Sequence, residues 1–429
     1  MVRELKHTEI GDIPVDWELQ TFDETFRVIS NNTLSRENLN NRGGAVRNIH
    51  YGDILTKFPE VLDCNEEEIP YVNELSLLSS STQLLQDGDI VVADTAEDET
   101  VGKVIEVQNL GDSKLVAGLH TIPCRVKKGE FAPGWLGYYM NSDLFHNQIL
   151  PYITGIKVSS ISKGAISETL ILVPPFDEQE KIVQSLNKIQ LLMTTETKVV
   201  NKIKLVKNGC LSKMFPQKDD IVPEMRLPGF NEAWEQRKLG ELVEFYNGDR
   251  SSRYPNDSDM VSEGVPFINA GDLVSGRVKL DTANKITEEK FNELSGAKIQ
   301  RGDIIYCLRG TLGKNAFVDN FDVGTVASSL VDIRPKKVVG KYLYQVLNSD
   351  IEYTQRIVND EGAAQPNLSA KNLSLFNIPM PDEVEQEKIA AYFDDFDNLI
   401  TLHQCKCDKY SNIKKGMMSD LLTGKIRLV

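Results

Sequence analysis

The feature that most constrains this chain is an internal repeat that covers most of its 429 residues. The segment Gln86–Val91 (QDGDIV) returns as Gln300–Ile305 (QRGDII), and Glu178–Ile182 (EQEKI) returns unchanged as Glu385–Ile389. The two copies are 214 residues apart at the first pair and 207 apart at the second. A repeat of this length indicates two copies of one structural unit. Each copy has a variable front and a back that keeps a single register.

The back of each copy has the hydrophobic spacing of a coiled-coil helix. Apolar residues recur with alternating separations of four and three residues over about five heptads. Prolines precede both runs, and Pro216 and Gly424 follow them, as helix stop signals do. The predicted seam residues are Ile182, Leu186, Ile189 and Met193 in the first helix and Ile389, Phe393, Phe396 and Ile400 in the second.

Polar residues interrupt both seams at matching places. Glu196 corresponds to His403, and Lys207 corresponds to Lys414. A polar residue at a seam position often fixes the register of a coiled coil. A helix of about 38 residues is roughly 55 Å long. The alternative is two helices buried in separate cores, but the length of the seam favours a coiled coil.

The fronts are predicted to mix strands and helices. Ile90–Ala93 and Ile304–Cys307 are short apolar runs after Gly-Asp turns, which is typical of strands. The predicted fold class is α+β: two similar mixed α/β domains held apart by two long antiparallel helices in a coiled coil, with pseudo-two-fold symmetry. The predicted boundaries are 1–177 for the first domain, 178–215 for the central helix, 216–230 for a linker, 231–384 for the second domain and 385–423 for the distal helix.

Composition narrows the class of protein. Hydrophobic residues make up 41% of the chain and charged residues 26%, which is typical of a folded globular protein. No apolar run of 18 or more residues and no signal-peptide core are found, so we expect a cytoplasmic protein without a membrane segment. The six cysteines and five histidines lack the spacing of a metal site, so no metal is predicted.

The net charge of −15 argues against a general nucleic-acid coat protein. Nonspecific affinity for DNA comes from neutralising phosphates, which an acidic surface cannot do. The charge is uneven, however, because residues 178–215 carry seven basic and three acidic side chains. This stretch could contact phosphates, or it could simply be a solvated helix face. Any site for a polyanion therefore has to be local or completed by a partner.

Two related domains on a pair of long helices can act as a ruler. One turn of B-DNA is about 34 Å, so two such domains could reach two major-groove segments on one face of the duplex. Because the fronts differ in sequence, they would recognise different half-sites, and the target would be asymmetric and split by unread bases. The alternative is a tandem-repeat scaffold whose domains bind proteins or peptides and have no DNA specificity.

Two longer motifs each occur twice and in a fixed order. Ile10–Leu19 (IGDIPVDWEL) precedes the first front, and Leu227–Gln236 (LPGFNEAWEQ), followed by Lys238–Leu242 (KLGEL), precedes the second. Pro174–Ile182 (PPFDEQEKI) and Pro381–Ile389 (PDEVEQEKI) open the two long helices. These segments resemble the motifs that begin the target recognition domains and the spacer helices in the specificity subunits of type I restriction-modification systems. The resemblance covers nearly the whole chain.

The resemblance implies a subunit that binds double-stranded DNA and is not itself an enzyme. It implies two methyltransferase subunits as partners, which use S-adenosylmethionine to methylate adenine at N6, and restriction subunits that hydrolyse ATP with magnesium. No cofactor is expected in this chain. Consistent with that, residues 173–176 (VPPF) have Val where an adenine methyltransferase needs Asn or Asp, and residues 310–315 (GTLGKN) lack the spacing of an ATP-binding loop.

Three polar loop regions recur in both copies and are predicted to contact DNA, because base and phosphate contacts need polar side chains on exposed loops. The first follows each entry motif, where ordinary turn polarity is the alternative; the second is a Gly-Lys hairpin; the third precedes the last strand of each domain. The predicted contacts are Arg42, Arg47, Arg250, Ser252 and Arg253 in the first region, Lys103, Arg309, Thr311 and Lys314 in the second, and Lys157, Ser160, Lys163, Gln365, Asn367 and Lys371 in the third. The two half-site sequences and the spacer length stay open.

Overall fold

The computed structural model describes residues 4–155, 157–216, 220–360 and 367–428, and the chain divides into two units. Unit 1 comprises the described residues of Met1–Thr195 and Lys406–Val429, and unit 2 comprises those of Glu196–Cys405. Each long helix therefore contributes to both units, whereas the sequence prediction treats the helices as separate segments. Among the described residues, no helix has the length and apolar character needed to cross a membrane.

Unit 1 begins with a front domain built around two mixed sheets. Its strands are β1 (Leu5–Thr8), β2 (Gly11–Pro14), β3 (Glu18–Thr21), β4 (Phe26–Val28), β5 (Leu39–Asn40), β6 (Arg47–Ile49), β7 (Val61–Asp63), β8 (Tyr71–Val72), β9 (Ile90–Ala93), β10 (Thr95–Ala96), β11 (Val104–Gln108), β12 (Leu115–Ala117), β13 (Thr121–Val126), β14 (Ser159–Ser160) and β15 (Leu170–Val173). Its helices are α1 (Phe22–Thr25), α2 (Tyr51–Thr56), α3 (Trp135–Tyr139), α4 (Asp143–Ile149) and α5 (Lys163–Ser167), and the long helix α6 (Phe176–Met214) follows. The sheet orders are β4-β13-β9-β11-β7 and β12-β6-β8-β5.

Unit 2 repeats this plan. Its strands are β16 (Glu235–Lys238), β17 (Val243–Asn247), β18 (Met260–Val261), β19 (Val265–Ile268), β20 (Leu273–Val274), β21 (Arg277–Val278), β22 (Asn284–Ile286), β23 (Ile304–Cys307), β24 (Asn315–Phe317), β25 (Thr325–Val326), β26 (Leu330–Pro335) and β27 (Asn377–Met380). Its helices are α7 (Leu239–Leu242), α8 (Glu288–Glu293), α9 (Gly340–Val346), α10 (Asp350–Val358) and α11 (Ala370–Ser374), and the long helix α12 (Glu383–Leu421) follows. The sheet orders are β17-β26-β23-β24 and β18-β22-β19-β25.

The repeated Gly-Asp turn precedes an inner strand of a main sheet in each unit, β9 in the sheet β4-β13-β9-β11-β7 and β23 in the sheet β17-β26-β23-β24. Gly88 and Gly302 have φ of +83° and +94°, a backbone conformation that glycine adopts without strain. The aspartate that follows closes the turn by accepting a hydrogen bond from the backbone N–H three residues earlier, and it pairs with a largely buried arginine. These pairs are Asp89 with Arg125 at 2.6 Å in unit 1 and Asp303 with Arg334 at 2.8 Å in unit 2. The repeated sequence therefore has a structural role in both copies.

Each long helix begins inside the core of a front domain. In unit 1, Ile182 and Leu186 are fully buried in the same cluster as Trp17 and Trp135, whose rings meet edge to face at 6.4 Å. In unit 2, the start of α12 joins a cluster that contains Trp234, Tyr342 and Phe393. The tryptophans of the entry motifs are thus core residues that pack against the helix starts.

The repeated Glu-Gln pair fixes each helix start to its domain. The glutamine side chain spans two backbone groups: Gln179 donates to Pro174 O at 2.8 Å and accepts from Ala132 N at 2.9 Å, and Gln386 donates to Pro381 O at 2.9 Å and accepts from Val339 N at 3.0 Å. The buried glutamate accepts a hydrogen bond from the entry-motif tryptophan and pairs with an arginine. These contacts are Trp17 and Arg427 to Glu178 in unit 1, and Trp234 and Arg226 to Glu385 in unit 2.

The two long helices pack together and are antiparallel, as the fold prediction expected. In unit 2, Glu196 bonds His403 and Lys207 bonds Asp397, so residue numbers rise along one helix as they fall along the other. Of the predicted seam residues, those that are buried are Ile182, Leu186, Ile389, Phe393 and Ile400, and those that are half-buried are Ile189, Met193 and Phe396. The helices begin at Phe176 and Glu383, two residues before the predicted starts.

The polar residues that interrupt the seam are paired rather than left unsatisfied. Lys207 donates to Asp397 at 2.6 Å in unit 2, and its counterpart Lys414 donates to Gln190 at 2.8 Å and to Glu60 in unit 1. Both lysine side chains are largely buried, so the carboxylate partner offsets the cost of desolvating the ammonium group.

Candidate nucleic-acid interface

In unit 2, the three predicted polar regions come together at one end of the sheet β17-β26-β23-β24. Strands β17 and β23 end there and β26 begins there, because Asn247 lies opposite Val331 and Cys307 lies opposite Leu330. The loop after β17 contains Arg250, and the loop after β23 contains Arg309. We call this edge the loop end of unit 2.

Direct contacts join these loops. Arg250 Nη2 donates to Ser328 O at 3.0 Å, and Leu308 N donates to the adjacent Ser329 O at 2.9 Å. Arg309 forms an antiparallel bridge with Asn367, and its Nε donates to Asn367 Oδ1 at 3.1 Å. The first, second and third regions of the sequence prediction therefore form one surface in this unit.

Other predicted residues of unit 2 lie exposed in the same loops. Ser252 and Arg253 follow Arg250, Thr311 follows Arg309, and Lys371 lies in the first turn of α11. All four side chains are open to solvent. Gln365 lies outside the described residues.

A buried carboxylate holds the loop that carries Arg250. Asp249 accepts hydrogen bonds from the backbone N–H of Ser251 at 2.6 Å and of Ser295 at 2.8 Å, and from the Ser295 hydroxyl at 3.0 Å. These hydrogen bonds, with those from Ser251 foremost, hold the pKa of Asp249 well below its usual range although burial opposes them. The loop is thus positioned from within, and Arg250 is left at the surface.

In unit 1, the corresponding edge lies where β9 ends and β13 begins, and we call it the loop end of unit 1. Strand β9 ends at Ala93 opposite Thr121, where β13 begins, and β10 pairs with β14 through Thr95 and Ser160. Ser160 is half-buried, whereas Lys157 and Lys163 on either side of β14 are exposed. The second and third predicted regions therefore also meet in unit 1.

The first predicted region behaves differently in unit 1. Arg42 is exposed in the loop after β5, where its backbone N–H donates to Asn40 Oδ1 at 2.8 Å. Strand β5 belongs to the four-stranded sheet β12-β6-β8-β5, whereas Thr95 lies in the two-stranded sheet β10-β14. No hydrogen bond among the described residues links Arg42 to the β10–β14 strand pair.

Three of the residues predicted to contact DNA donate hydrogen bonds to backbone carbonyls of the protein. Arg47 is 8% exposed, and its Nη1 donates to the backbone carbonyl of Cys64. Lys103 Nζ donates to Leu55 O and Phe58 O at 3.2 and 3.3 Å, and burial lowers its pKa. Lys314, its counterpart in unit 2, donates to Ala270 O at 2.8 Å. Arg47 is buried, Lys103 and Lys314 are half-buried, and all three bond backbone carbonyls, so we leave them out of the proposed surface, whereas Arg250 is exposed and is kept.

Sequence reasoning missed several residues that the structure brings forward. Arg226 and Arg427 bind the buried glutamates at the helix starts, and the signal was an Arg-Leu dipeptide after each long helix. Thr95 and His120 lie at the loop end of unit 1. The sequence pointed to Thr95 because it lies 214 residues before Arg309, the same offset that separates the two repeated Gly-Asp turns. Within the described part of the chain, no three His, Cys, Asp or Glu side chains are placed to hold a metal ion.

Comparisons with known proteins agree with this architecture. The sequence profile of the type I restriction modification DNA specificity domain matches twice, at residues 14–205 and 231–409. A Methanocaldococcus jannaschii protein named as the MjaX specificity subunit of a type I restriction enzyme is 25% identical over 438 residues, which covers 99% of this chain and 96% of that protein. The EcoBI specificity subunit of Escherichia coli is 23% identical over 275 residues, or 58% of this chain and 57% of that protein.

A solved structure has the same fold. The S subunit of a type I restriction-modification system from M. genitalium superposes with a TM-score of 0.54 at 15% identity, over 99% of this chain and 98% of that one. The two family matches account for both front domains and most of both long helices. The chain belongs to the family of type I restriction-modification DNA specificity proteins.

Proposed function

We propose that this chain is the non-catalytic subunit that recognises the DNA target of a type I restriction-modification enzyme, with one half of a split, asymmetric target recognised by each front domain. The observation that carries the proposal is the loop end of unit 2, where the exposed Arg250 and Arg309 and the half-buried Asn367 lie on one surface. Side chains of these types supply both base and phosphate contacts in protein–DNA complexes.

The proposal includes partners that carry the chemistry. Two methyltransferase subunits with S-adenosylmethionine would methylate adenine, and restriction subunits with ATP and magnesium would cleave DNA. Family membership supports this assignment, and so does the repeat, because two similar units can present similar surfaces to two copies of one partner. A cytoplasmic location is part of the same proposal.

The acidic composition bears on how tightly the chain binds DNA alone. A net charge of −15 opposes phosphate binding, so we expect weak binding by the isolated chain and stronger binding once methyltransferase subunits add basic surface. Tight binding of random DNA by the isolated chain at physiological salt would contradict this expectation.

The experiment that tests the proposal is methylation sequencing of the native cell with and without the gene. Loss of N6-methyladenine at one split, asymmetric motif is the expected result. An unchanged methylome would count against the proposal if the purified chain, mixed with its methyltransferase subunits, also failed to direct methylation of genomic DNA.

The protein-binding scaffold is tested with the same material. Arg309→Ala should reduce sequence-specific methylation while the chain still assembles with its partners. Arg237→Ala is the matched control, because Arg237 is also exposed but lies on β16, away from the loop end, where it pairs only loosely with Glu241 at 3.4 Å. Equal methylation by both variants would favour the scaffold.

A further inference from the structure

The two loop ends share one backbone frame. In unit 1, Asp94 N donates to His120 O at 3.1 Å, Ile161 N donates to Asp94 O at 2.9 Å, and Thr95 pairs with Ser160. In unit 2, the equivalent contacts are Leu308 N to Ser329 O at 2.9 Å, Leu368 N to Leu308 O at 3.0 Å, and the bridge between Arg309 and Asn367. The backbone is therefore held in the same way at four corresponding positions.

The side chains at those four positions are all different. Unit 1 has Asp94, Thr95, His120 and Ser160, whereas unit 2 has Leu308, Arg309, Ser329 and Asn367. A constant backbone with changed side chains is what two domains need if they present different chemistry to the same kind of ligand. The shared backbone hydrogen bonds identify which residue of one unit corresponds to which residue of the other.

The loop end of unit 2 presents hydrogen-bond donors. Arg309 Nε donates a hydrogen bond to Asn367 Oδ1. This bond occupies the acceptor of the Asn367 amide and places the two side chains next to each other. The Nη groups of Arg309 and the Nδ2 group of Asn367 make no hydrogen bond to another described residue. Such a set of donors matches guanine, which offers two acceptors, O6 and N7, in the major groove.

The loop end of unit 1 presents an acceptor. Asp94 Oδ1 accepts from the Thr95 hydroxyl at 2.8 Å and lies 3.4 Å from His120 Nδ1, while Oδ2 has no hydrogen bond to a described residue. The Asp94 side chain is 25% exposed and the His120 side chain 44%. A carboxylate accepts hydrogen bonds from the exocyclic amino group of cytosine or adenine.

The backbone at His120 adds an independent observation. Its φ is +56°, in the left-handed region that residues other than glycine rarely occupy, and its carbonyl is held there by Asp94 N. The fold thus maintains a costly conformation that sets an exposed imidazole beside the carboxylate, and residues held in such conformations cluster at functional sites. The Tyr51 ring meets the imidazole edge to face at 5.2 Å.

We propose that these four corresponding positions select the bases of the two half-sites: Arg309 with Asn367 recognises a guanine, and Asp94 with His120 recognises a base that carries an amino group. This rests on the proposed function, because it assigns roles within the same DNA-reading surfaces. It differs from the sequence prediction, which named Arg42, Arg47, Lys103, Lys157, Ser160 and Lys163 in the first domain and did not include Asp94, Thr95 or His120.

The test uses the full chain with its methyltransferase subunits. Variants Arg309→Ala and Asp94→Asn are expressed separately with those subunits in a host that lacks adenine methylation, and the methylated motif is determined by sequencing. Each variant should relax or change the base at one position in one half of the motif, by about 5- to 150-fold in preference, and leave the other half intact. The two variants should affect opposite halves.

Matched controls are Arg237→Ala and Asp112→Asn, which change exposed residues of the same types away from the loop ends. If a variant abolishes methylation, the purified complex selects binders from a random DNA library, and relaxed preference in a single half is again the expected result. An unchanged motif with both variants, or loss of affinity without any change in base preference, would overturn the assignment. Failure of the wild-type complex to produce any split motif would instead overturn the proposed function itself.

Discussion

Removing Arg226 should destabilise unit 2 strongly, because its partner is a buried charge. The Glu385 side chain is 0% exposed, and the Arg226 side chain is 12% exposed. Arg226 donates from Nε and Nη2 to the two carboxylate oxygens at 2.7 Å each, and Trp234 Nε1 donates to one of them at 3.1 Å. After Arg226→Ala, the one hydrogen-bond donor left to the Glu385 carboxylate among the described residues is Trp234.

The size of the effect follows from the charge that is left behind. Breaking a buried ion pair by removing one partner typically costs about 3–5 kcal/mol, because the remaining charge is desolvated without compensation. For a unit of roughly 200 residues, each kcal/mol corresponds to about 2–4 °C in melting temperature, so we expect unit 2 to melt roughly 6–20 °C lower. The contact between the guanidinium group and the Trp234 ring, 5.8 Å from its centroid, is lost as well.

Differential scanning calorimetry and urea unfolding of the full chain measure this loss. Adding Glu385→Gln to Arg226→Ala removes the stranded charge, so the double variant should be more stable than Arg226→Ala alone. The control Arg237→Ala breaks an exposed pair and should change the free energy of unfolding by less than about 0.5 kcal/mol. A loss below about 1 kcal/mol for Arg226→Ala would refute the argument, since a carboxylate that is 0% exposed should cost more than this when its cation is removed.

Three further changes have defined outcomes. Arg427→Ala should lower the stability of unit 1 as Arg226→Ala lowers that of unit 2, because Arg427 bonds the buried Glu178, and calorimetry checks it. Lys103→Met should cost about 1–3 kcal/mol in urea unfolding by leaving two carbonyls unpaired, and it should leave the methylated motif unchanged. Burial, and then the charge of Asp303, raise the pKa of Asp332 to about 8. The stability that Asp332 contributes is therefore present at low pH and is lost as the pH rises from about 4 towards 8. Asp332→Asn should reduce the difference in urea midpoint between pH 5 and pH 8.

The parts of the fold that depend on local periodicity were predictable from the sequence. Heptad spacing and flanking prolines place both long helices to within two residues at their starts. The Gly-Asp turns predict the strands that follow. Few other dipeptides combine a residue that adopts a positive φ with a short polar side chain that closes the turn. These signals act over a few residues, so a single sequence is enough to detect them.

The parts that depend on distant contacts were not predictable in the same way. Arg47 and Arg42 lie in one polar stretch of sequence, yet one is buried against Cys64 O and the other is exposed. The difference arises because Arg47 begins β6, which lies between β12 and β8 in the smaller sheet. Composition assigns both to a surface loop, and only the sheet order separates them.

The Gly-Lys hairpins show how the repeat should be used. Lys103 and Lys314 were predicted to contact DNA partly because they recur, but recurrence is the stronger argument for a structural role. Both ammonium groups bond backbone carbonyls, and both repeated glutamates at the helix starts are buried against tryptophan and arginine. Residues that are identical in the two copies make the same structural contacts inside both domains. If the two domains recognise different half-sites, the side chains that do so have to be sought where the backbone frame agrees and the residues differ, as they do at Thr95 and Arg309.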